Sequence, residues 1–350
     1  MEKNKNHEND TELHEEVKVF LAEKFNGNIN LYIKAFILIG VYFSLYTALF
    51  LFSVPLWILV CMGILAGIAK SGIGMGVMHD ANHRSFSQKE WVNLLFGSSI
   101  YFVGGYGPNW NEQHNLDHHS FTNSTEHDSD LDTRGLFRFS PHQPLRKGHK
   151  YQAWYAPFFY SIMTLFWCTW KDFGQAYRYY KKNRRNFKKI KNHLLAISLS
   201  KIGYFVFWIV IPGLFWKVSF WYVLVFFLCM HLTAGLFLSL VFQPAHVSSL
   251  THFPKTIEFN REEHQIRTTC NFAVGNRFVT WLTGGLNYQI EHHIFPYISH
   301  VHYPKISKIV QRYCKEKNIP YNNIGGFGKA IVEHFKYLHK LGNESHTVEV

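Results

Sequence analysis

The chain has 350 residues, a net charge of +12, and only 17% charged against 17% aromatic residues. Length alone would allow two domains, but the apolar residues come in long unbroken runs, which excludes an ordinary soluble enzyme. The basic residues lie between those runs, which argues against nucleic-acid binding, and five cysteines with no C-x-x-C pair offer neither a disulfide framework nor a thiolate metal site.

Polar residues 1–34 contain no signal-peptide apolar core, so the first membrane helix is expected to be an uncleaved anchor. Six apolar stretches follow, each near the length of about 20 residues that a hydrocarbon core requires. They are Ala35 to Phe52, Pro55 to Met78, Trp91 to Asn111, Tyr151 to Trp170, Leu194 to Trp216 and Val218 to Ala245. Charge selects among them. If only the first two and last two span, with the N-terminus inside, 5 Lys/Arg precede the first helix, 16 lie between the second and third, and 12 follow the fourth. Only Lys217 then falls on the far side, with Lys70 and Lys201 inside helices. This satisfies the positive-inside rule. A span at Trp91 to Asn111 would instead carry Arg134, Arg138, Arg146, Lys147 and Lys150 outside. The two middle stretches, with their Trp and Tyr, read as interfacial or re-entrant helices. The expected fold is an all-α integral membrane protein with spans at 35–53, 55–78, 194–216 and 218–243. These belong to a membrane domain of 35–310, and 311–350 is expected to be a cytoplasmic tail.

Three smaller features have plain readings. Lys70 and Lys201 are expected to snorkel toward the cytoplasmic surface. The run RYYKKNRRNFKKIK, residues 178 to 191, reads as an orienting anchor on anionic lipid. SGIGMG, residues 71 to 76, follows no strand, so close helix packing explains it better than phosphate binding.

Histidine is the outlier, with 22 in the chain. Three clusters stand out: HDANH with His79 and His83, HNLDHH with His114, His118 and His119, and QIEHH with Gln289, His292 and His293. On an α-helix, residues four apart share a face, so H-x-x-x-H can turn two imidazoles to one metal. The next histidine is rotated by about 100°, which lets His118 and His119 address two metals. Isolated histidines such as His231, His142 and His127 read as ordinary hydrogen-bonded residues. The clusters can meet only on one side of the membrane, and only the four-span topology puts them there. Charge and histidine placement thus select the same arrangement independently. Seven histidines exceed the three or four ligands of a zinc site and fit a dinuclear centre. Among imidazole-binding metals, iron suits the activation of O2 against an unactivated C–H bond.

HDANH, HNLDHHSFTN and QIEHHIFP, in this order and spacing, resemble the three histidine boxes of the membrane fatty acid desaturases, over residues 35 to 310. The Q-x-x-H-H box resembles the front-end branch, which includes delta-5, delta-6 and linoleoyl-CoA desaturases. The resemblance implies two iron ions held by His79, His83, His114, His118, His119, His292 and His293, with His246 in FQPAHV as a further ligand. Gln289 is expected to bond a metal-bound water, or to offer its carbonyl to the metal. The implied reaction consumes O2 and two electrons and leaves a cis double bond in a long-chain acyl-CoA or acyl-lipid. Trp110, Trp154 and Phe295 are candidates to line an acyl tunnel. No H-P-G-G haem motif occurs in the polar segment before the first helix. A separate electron donor is therefore implied, ferredoxin-like or cytochrome b5-like, steered by the positive cytoplasmic face. A di-iron acyl or alkane hydroxylase would share the ligands, although Q-x-x-H-H disfavours it. A zinc-dependent membrane hydrolase or receptor-like protein would need fewer histidines and no donor. A non-catalytic scaffold would leave the clusters unexplained.

Overall fold

The computed structural model describes residues 12–181 and 189–344. Residues 182–188 of the basic run 178–191 thus lie outside the described residues. A short amphipathic helix, α1 (Glu12–Leu21), leads into α2 (Ile29–Leu51) and α3 (Leu56–Asn82). After a long irregular segment come α4 (Gln152–Phe166), α5 (Ile190–Phe215) and α6 (Phe220–His246). Beyond them lie α7 (Arg261–Thr268), α8 (Gln289–Ile294), α9 (Tyr303–Glu316) and α10 (Phe327–Asn343). Among the described residues, α2, α3, α5 and α6 are the four helices long and apolar enough to cross a membrane. α2 begins at Ile29 rather than Ala35. Asn28 caps it by accepting from Asn30 N, and Lys34 is drawn into the protein instead of being left at the surface.

The far ends of α2 and α5 are tied together. Ser53 Oγ donates to Lys217 O at 2.6 Å, and Lys217 N donates to Leu49 O at 2.9 Å. α3 and α6 return from that side, so both end where α2 begins. This is the step that places His79 and His246 together.

Inside a bilayer the helices gain little from hydrophobic exclusion and must win by close packing. Gly67 allows this: a Cβ there would lie 2.6 Å from Met230 O on α6. Gly76, in the SGIGMG run, would put its Cβ 3.1 Å from Gly284 Cα, so close packing explains these glycines as expected. Tyr42, Tyr46, Trp208, Trp216 and Phe226 fill the space between α2, α5 and α6.

Neither middle stretch is among the four spans. Trp91 to Asn111 divides into Glu90–Gly97, Ile100–Val103 and Gly107–Trp110. The break falls at Gly104, with φ 96°, where a Cβ would lie 2.8 Å from that of Cys168. α4 runs on through a π turn, Trp167–Lys171, and leaves Trp154, Phe158, Phe166 and Trp170 exposed.

Lys70 and Lys201 do not snorkel, contrary to expectation. Lys70 is buried with Nζ 2.9 Å from Tyr204 Oη and 3.2 Å from His231 Nε2. Lys201 is buried against Gly104 O at 2.7 Å, Trp167 O at 3.1 Å and the Asp172 carboxylate. Polar partners from neighbouring elements replace the water that snorkelling would have sought. His231 is a hydrogen-bonded core residue, with Thr164 Oγ1 3.0 Å from its Nδ1.

The C-terminal segment is folded onto the rest through residue 344, with Arg138 Nη1 donating to Leu341 O at 2.7 Å and Gln152 Nε2 to Leu338 O at 2.7 Å. α1 packs on α9 through Leu13 and Val17.

Removing one partner of a buried ion pair costs about 3–5 kcal/mol. Lys201→Met is expected to lower the Tm of the purified protein markedly, and a further Asp172→Asn in the same chain to restore much of it. Thermal unfolding of both variants checks this. His334 makes a second prediction. Its Nδ1 donates to Val247 O and its Nε2 accepts from Tyr160 Oη, both at 2.8 Å, and burial lowers its pKa to about 4. The folded state therefore holds the neutral ring. Its contribution is complete above the ordinary pKa of about 6.5 and is lost as the pH falls toward 4. Amide exchange in α10, corrected for its intrinsic pH dependence, is expected to accelerate from pH 7 to pH 5, and His334→Asn to remove the acceleration.

Candidate metal centre

Each histidine cluster is presented by a helix end. α3 winds through a π turn at Gly74–Met78, then supplies His79 and, as its cap, His83. Asn111–His118 is wound as π turns, which corrects the α-helical geometry expected for the second cluster. His119 N donates to His114 O, five residues back, at 3.1 Å. That winding brings the His114 and His119 rings together edge to face, with Nε2 atoms 3.3 Å apart. His246 is the last residue of α6, and α8 carries Gln289, His292 and His293.

The structure brings all eight histidines together. His79, His83, His114 and His292 form one group, and His118, His246 and His293 another, each with ring nitrogens within 4.8 Å of one another. His119 joins His292 and His293 in a third, shared group. All but His83 are fully buried.

A metal fits this arrangement on two counts. Two nitrogens bound at about 2.1 Å and at right angles lie about 3 Å apart, and His79 Nε2 sits 3.0 Å from His114 Nε2. Moreover, Nε2 of His83, His118, His292 and His293, Nδ1 of His119 and both nitrogens of His246 are buried without a hydrogen-bond partner. Buried polar atoms rarely go unpaired, and a cation is the partner these lone pairs lack. Gln289 Oε1 is buried and unpaired as well, with its side chain against His246.

The outward ring nitrogens are held by partners that the sequence did not reveal. His118 Nδ1 lies 3.0 Å from Asp128 Oδ2, His293 Nδ1 3.0 Å from Gln265 Oε1, and His292 Nδ1 3.2 Å from Tyr303 Oη. The Asp128 and Gln265 oxygens can only accept, so they fix the proton on Nδ1 and leave Nε2 free to face inward, and Tyr303 Oη holds the His292 ring in the same orientation. Asp128 is itself anchored by Asn123 N at 2.9 Å, and Gln265 donates to His119 O at 2.9 Å. An Asp or Gln in a polar stretch carries no periodic signal, and only the three-dimensional path brings it to a ring.

Burial, then the neighbouring imidazoles, hold the pKa of His114, His119, His292 and His293 well below the ordinary value. These rings stay neutral, as metal ligands must. His118 departs from the set: burial opposes its charge, but Asp128 and Asp130 outweigh burial and raise its pKa.

Of the tunnel candidates, Trp110 lies at the cluster, stacked on His114 with centroids 4.5 Å apart. Trp154 is 82% exposed, and Phe295 packs against His14 and Tyr297 in the core shared by α1 and α9. Their surroundings suit an outer surface and a structural core better than a tunnel wall. His127 stacks on Phe121 in a loop, as an ordinary polar residue would.

The sequence profile described as fatty acid desaturase matches residues 55–325. The chain belongs to the fatty acid desaturase family. It is 31% identical to an sn-1 linoleoyl-lipid 6-desaturase of Synechocystis sp. over 95% of each chain. It is 30% identical to an acyl-lipid (8-3)-desaturase of Physcomitrium patens, over 92% of this chain and 69% of that protein. An sn-1 linoleoyl-lipid 6-desaturase of Arthrospira platensis is 29% identical, over 94% and 91%. This desaturase thus joins a family sequence to a buried histidine centre at the ends of apolar helices.

The Asp128 carboxylate should matter most for retention of the metal, because a carboxylate partner makes the imidazole a stronger donor. Asp128→Asn is expected to weaken metal retention by roughly 10–100-fold, and Tyr303→Phe by less. Metal per chain after dialysis against graded chelator reads this without any assay of turnover.

Proposed function

We propose that this desaturase uses two iron ions, O2 and two electrons to introduce a cis double bond into a long-chain acyl group drawn from the bilayer, in the manner of the front-end branch. The observation that carries this reading is the set of eight histidines whose lone pairs converge in overlapping groups at the mouths of apolar helices. Three or four ligands would suffice for zinc, so the larger set favours two ions. His79, His83, His114 and His292 would hold one ion, and His118, His246 and His293 the other, with His119 between them. Iron bound there supplies the O2 activation needed to break two unactivated C–H bonds.

The chain's own residues do the rest. Asp128, Gln265 and Tyr303 aim the rings through their Nδ1 atoms. Burial excludes water and keeps His114, His119, His292 and His293 neutral. Trp110 offers a rigid apolar wall beside His114, where an acyl chain can lie close to the reacting centre. Gln289 Oε1 is available to a metal-bound water.

The Q-x-x-H-H pattern and the names of the relatives support a front-end position for the new bond and an acyl-lipid substrate. The distribution of Lys and Arg supports a cytoplasmic location for the histidine clusters and for both termini. The exposed aromatic residues of Glu90–Gly97 and α4 support interfacial placement of these helices. A positive cytoplasmic face suits an acidic, ferredoxin-like or cytochrome b5-like electron donor.

Expression in a host fed linoleate is expected to yield a new, more unsaturated acid by gas chromatography, and the purified protein to hold close to two irons per chain. His292→Ala should lose the product and at least one iron while still inserting. Full activity in that variant would sink the ligand assignment. A hydroxylated product in place of the unsaturated acid would sink the desaturation reading.

A further inference from the structure

A cleft of about 590 Å³ opens beside the segment that follows the first histidine cluster, at Ser87, Lys89 and Trp91. It is walled by the α1–α2 linker, the loop that follows His83, and His302. Lys24, Asn28, Tyr32, Lys89 and Trp91 line it, and no carboxylate does. Both lysines are exposed. Among the described residues neither has an acidic partner, while Glu90, the first residue of the helix that follows Lys89, is paired with Arg84 at 3.5 Å.

The walls are tied to the segments that carry the metal-binding histidines. Asn26 Nδ2 donates to Arg84 O at 3.3 Å, and Gly27 N to Ser85 O at 3.1 Å. On the other side, His302 Nε2 donates to Asn26 O at 2.9 Å, and Ser299 N to Phe25 O at 2.7 Å. The linker therefore bridges the residues just after His83 to those just after His293. His83 is also the one half-buried member of the eight, so the centre comes nearest the surface where this loop departs. The level is right for a lipid head. α2 enters the apolar layer at Ile29, and Trp91, 62% exposed, and the half-buried Tyr32 are side chains that favour the headgroup region.

We propose that this cleft binds the phosphate-bearing head of the acyl carrier, with Lys24 and Lys89 on the phosphate and Tyr32 and Trp91 against the start of the acyl chain. The proposal rests on the desaturase reading and deepens it. A head held here fixes the distance from the start of the chain to the histidine centre, so the position of the new bond is counted from the head end. A phosphodiester lipid and the phosphates of coenzyme A share this chemistry.

The test is equilibrium binding to the full-length protein in neutral-lipid nanodiscs, with no electron donor, so that nothing turns over. The probes are linoleoyl-CoA, 1-linoleoyl-lysophosphatidylglycerol and, free of phosphate, monolinoleoylglycerol. At least one phosphate-bearing probe is expected to bind wild type more tightly than monolinoleoylglycerol, with an affinity that falls as salt rises. Lys24→Gln/Lys89→Gln should weaken that probe by roughly tenfold, the scale of charge-assisted bonds after discounting for exposure. Monolinoleoylglycerol should bind both proteins alike. The probe that weakens identifies the carrier. Equal binding of both phosphate-bearing probes by wild type and variant overturns the proposal, as does an equal loss for all three probes. Neither result touches the desaturase reading, which fails only if wild type forms no unsaturated product.

Discussion

Packing eight imidazoles into one space away from water is the constraint on which the rest of this structure depends. A neutral ring has one donor and one acceptor nitrogen, and both need partners when buried. For His118, His292 and His293 the donor side is answered by Asp128, Tyr303 and Gln265. The acceptor side faces inward, toward other acceptors, and protein groups cannot answer it there. The site is thus shaped for a cation by what it lacks as much as by what it holds.

The demand reaches far along the chain. The histidines come from two helix ends, one π-wound segment and one short helix, and each must be held in place. The return of α3 and α6 to the side where α2 begins brings His79 and His246 together. Gly67 and Gly76 let the backbones approach closely enough for this. The third cluster is pinned from behind by a buried network in which Asn271 Nδ2 and Tyr321 Oη donate to the Glu291 carboxylate at 2.7 and 2.8 Å. The π turns at Gly74–Met78 and Asn111–His118 sit directly before or within the metal-facing segments. An inserted residue per turn changes which side chains share a face, a common device at functional sites.

Much of this was legible in the sequence because membranes simplify the problem. A span needs a long apolar run, and topology responds to where Lys and Arg fall, so four spans could be chosen from six candidates. The histidine spacing added an independent check, since only one topology unites the clusters. The misreadings share one cause. Lys70 and Lys201 look like snorkelling residues until Tyr204, His231 and Asp172 are seen beside them. Phe295 is two residues from His293 in sequence yet packs in the core of α1 and α9. A side chain's environment depends on elements distant in the chain, which local pattern does not report.

The sequence by itself determined the membrane character, the family and the residue types of the metal centre, because these rest on composition, run length and short spacing. Only the tertiary structure decided how the histidines divide into groups, which partners orient their rings, and that two lysines lie inside the bundle. Those outcomes depend on the winding of particular helix turns and on contacts between residues more than 100 positions apart, such as Gln265 and His119. No local rule connects them.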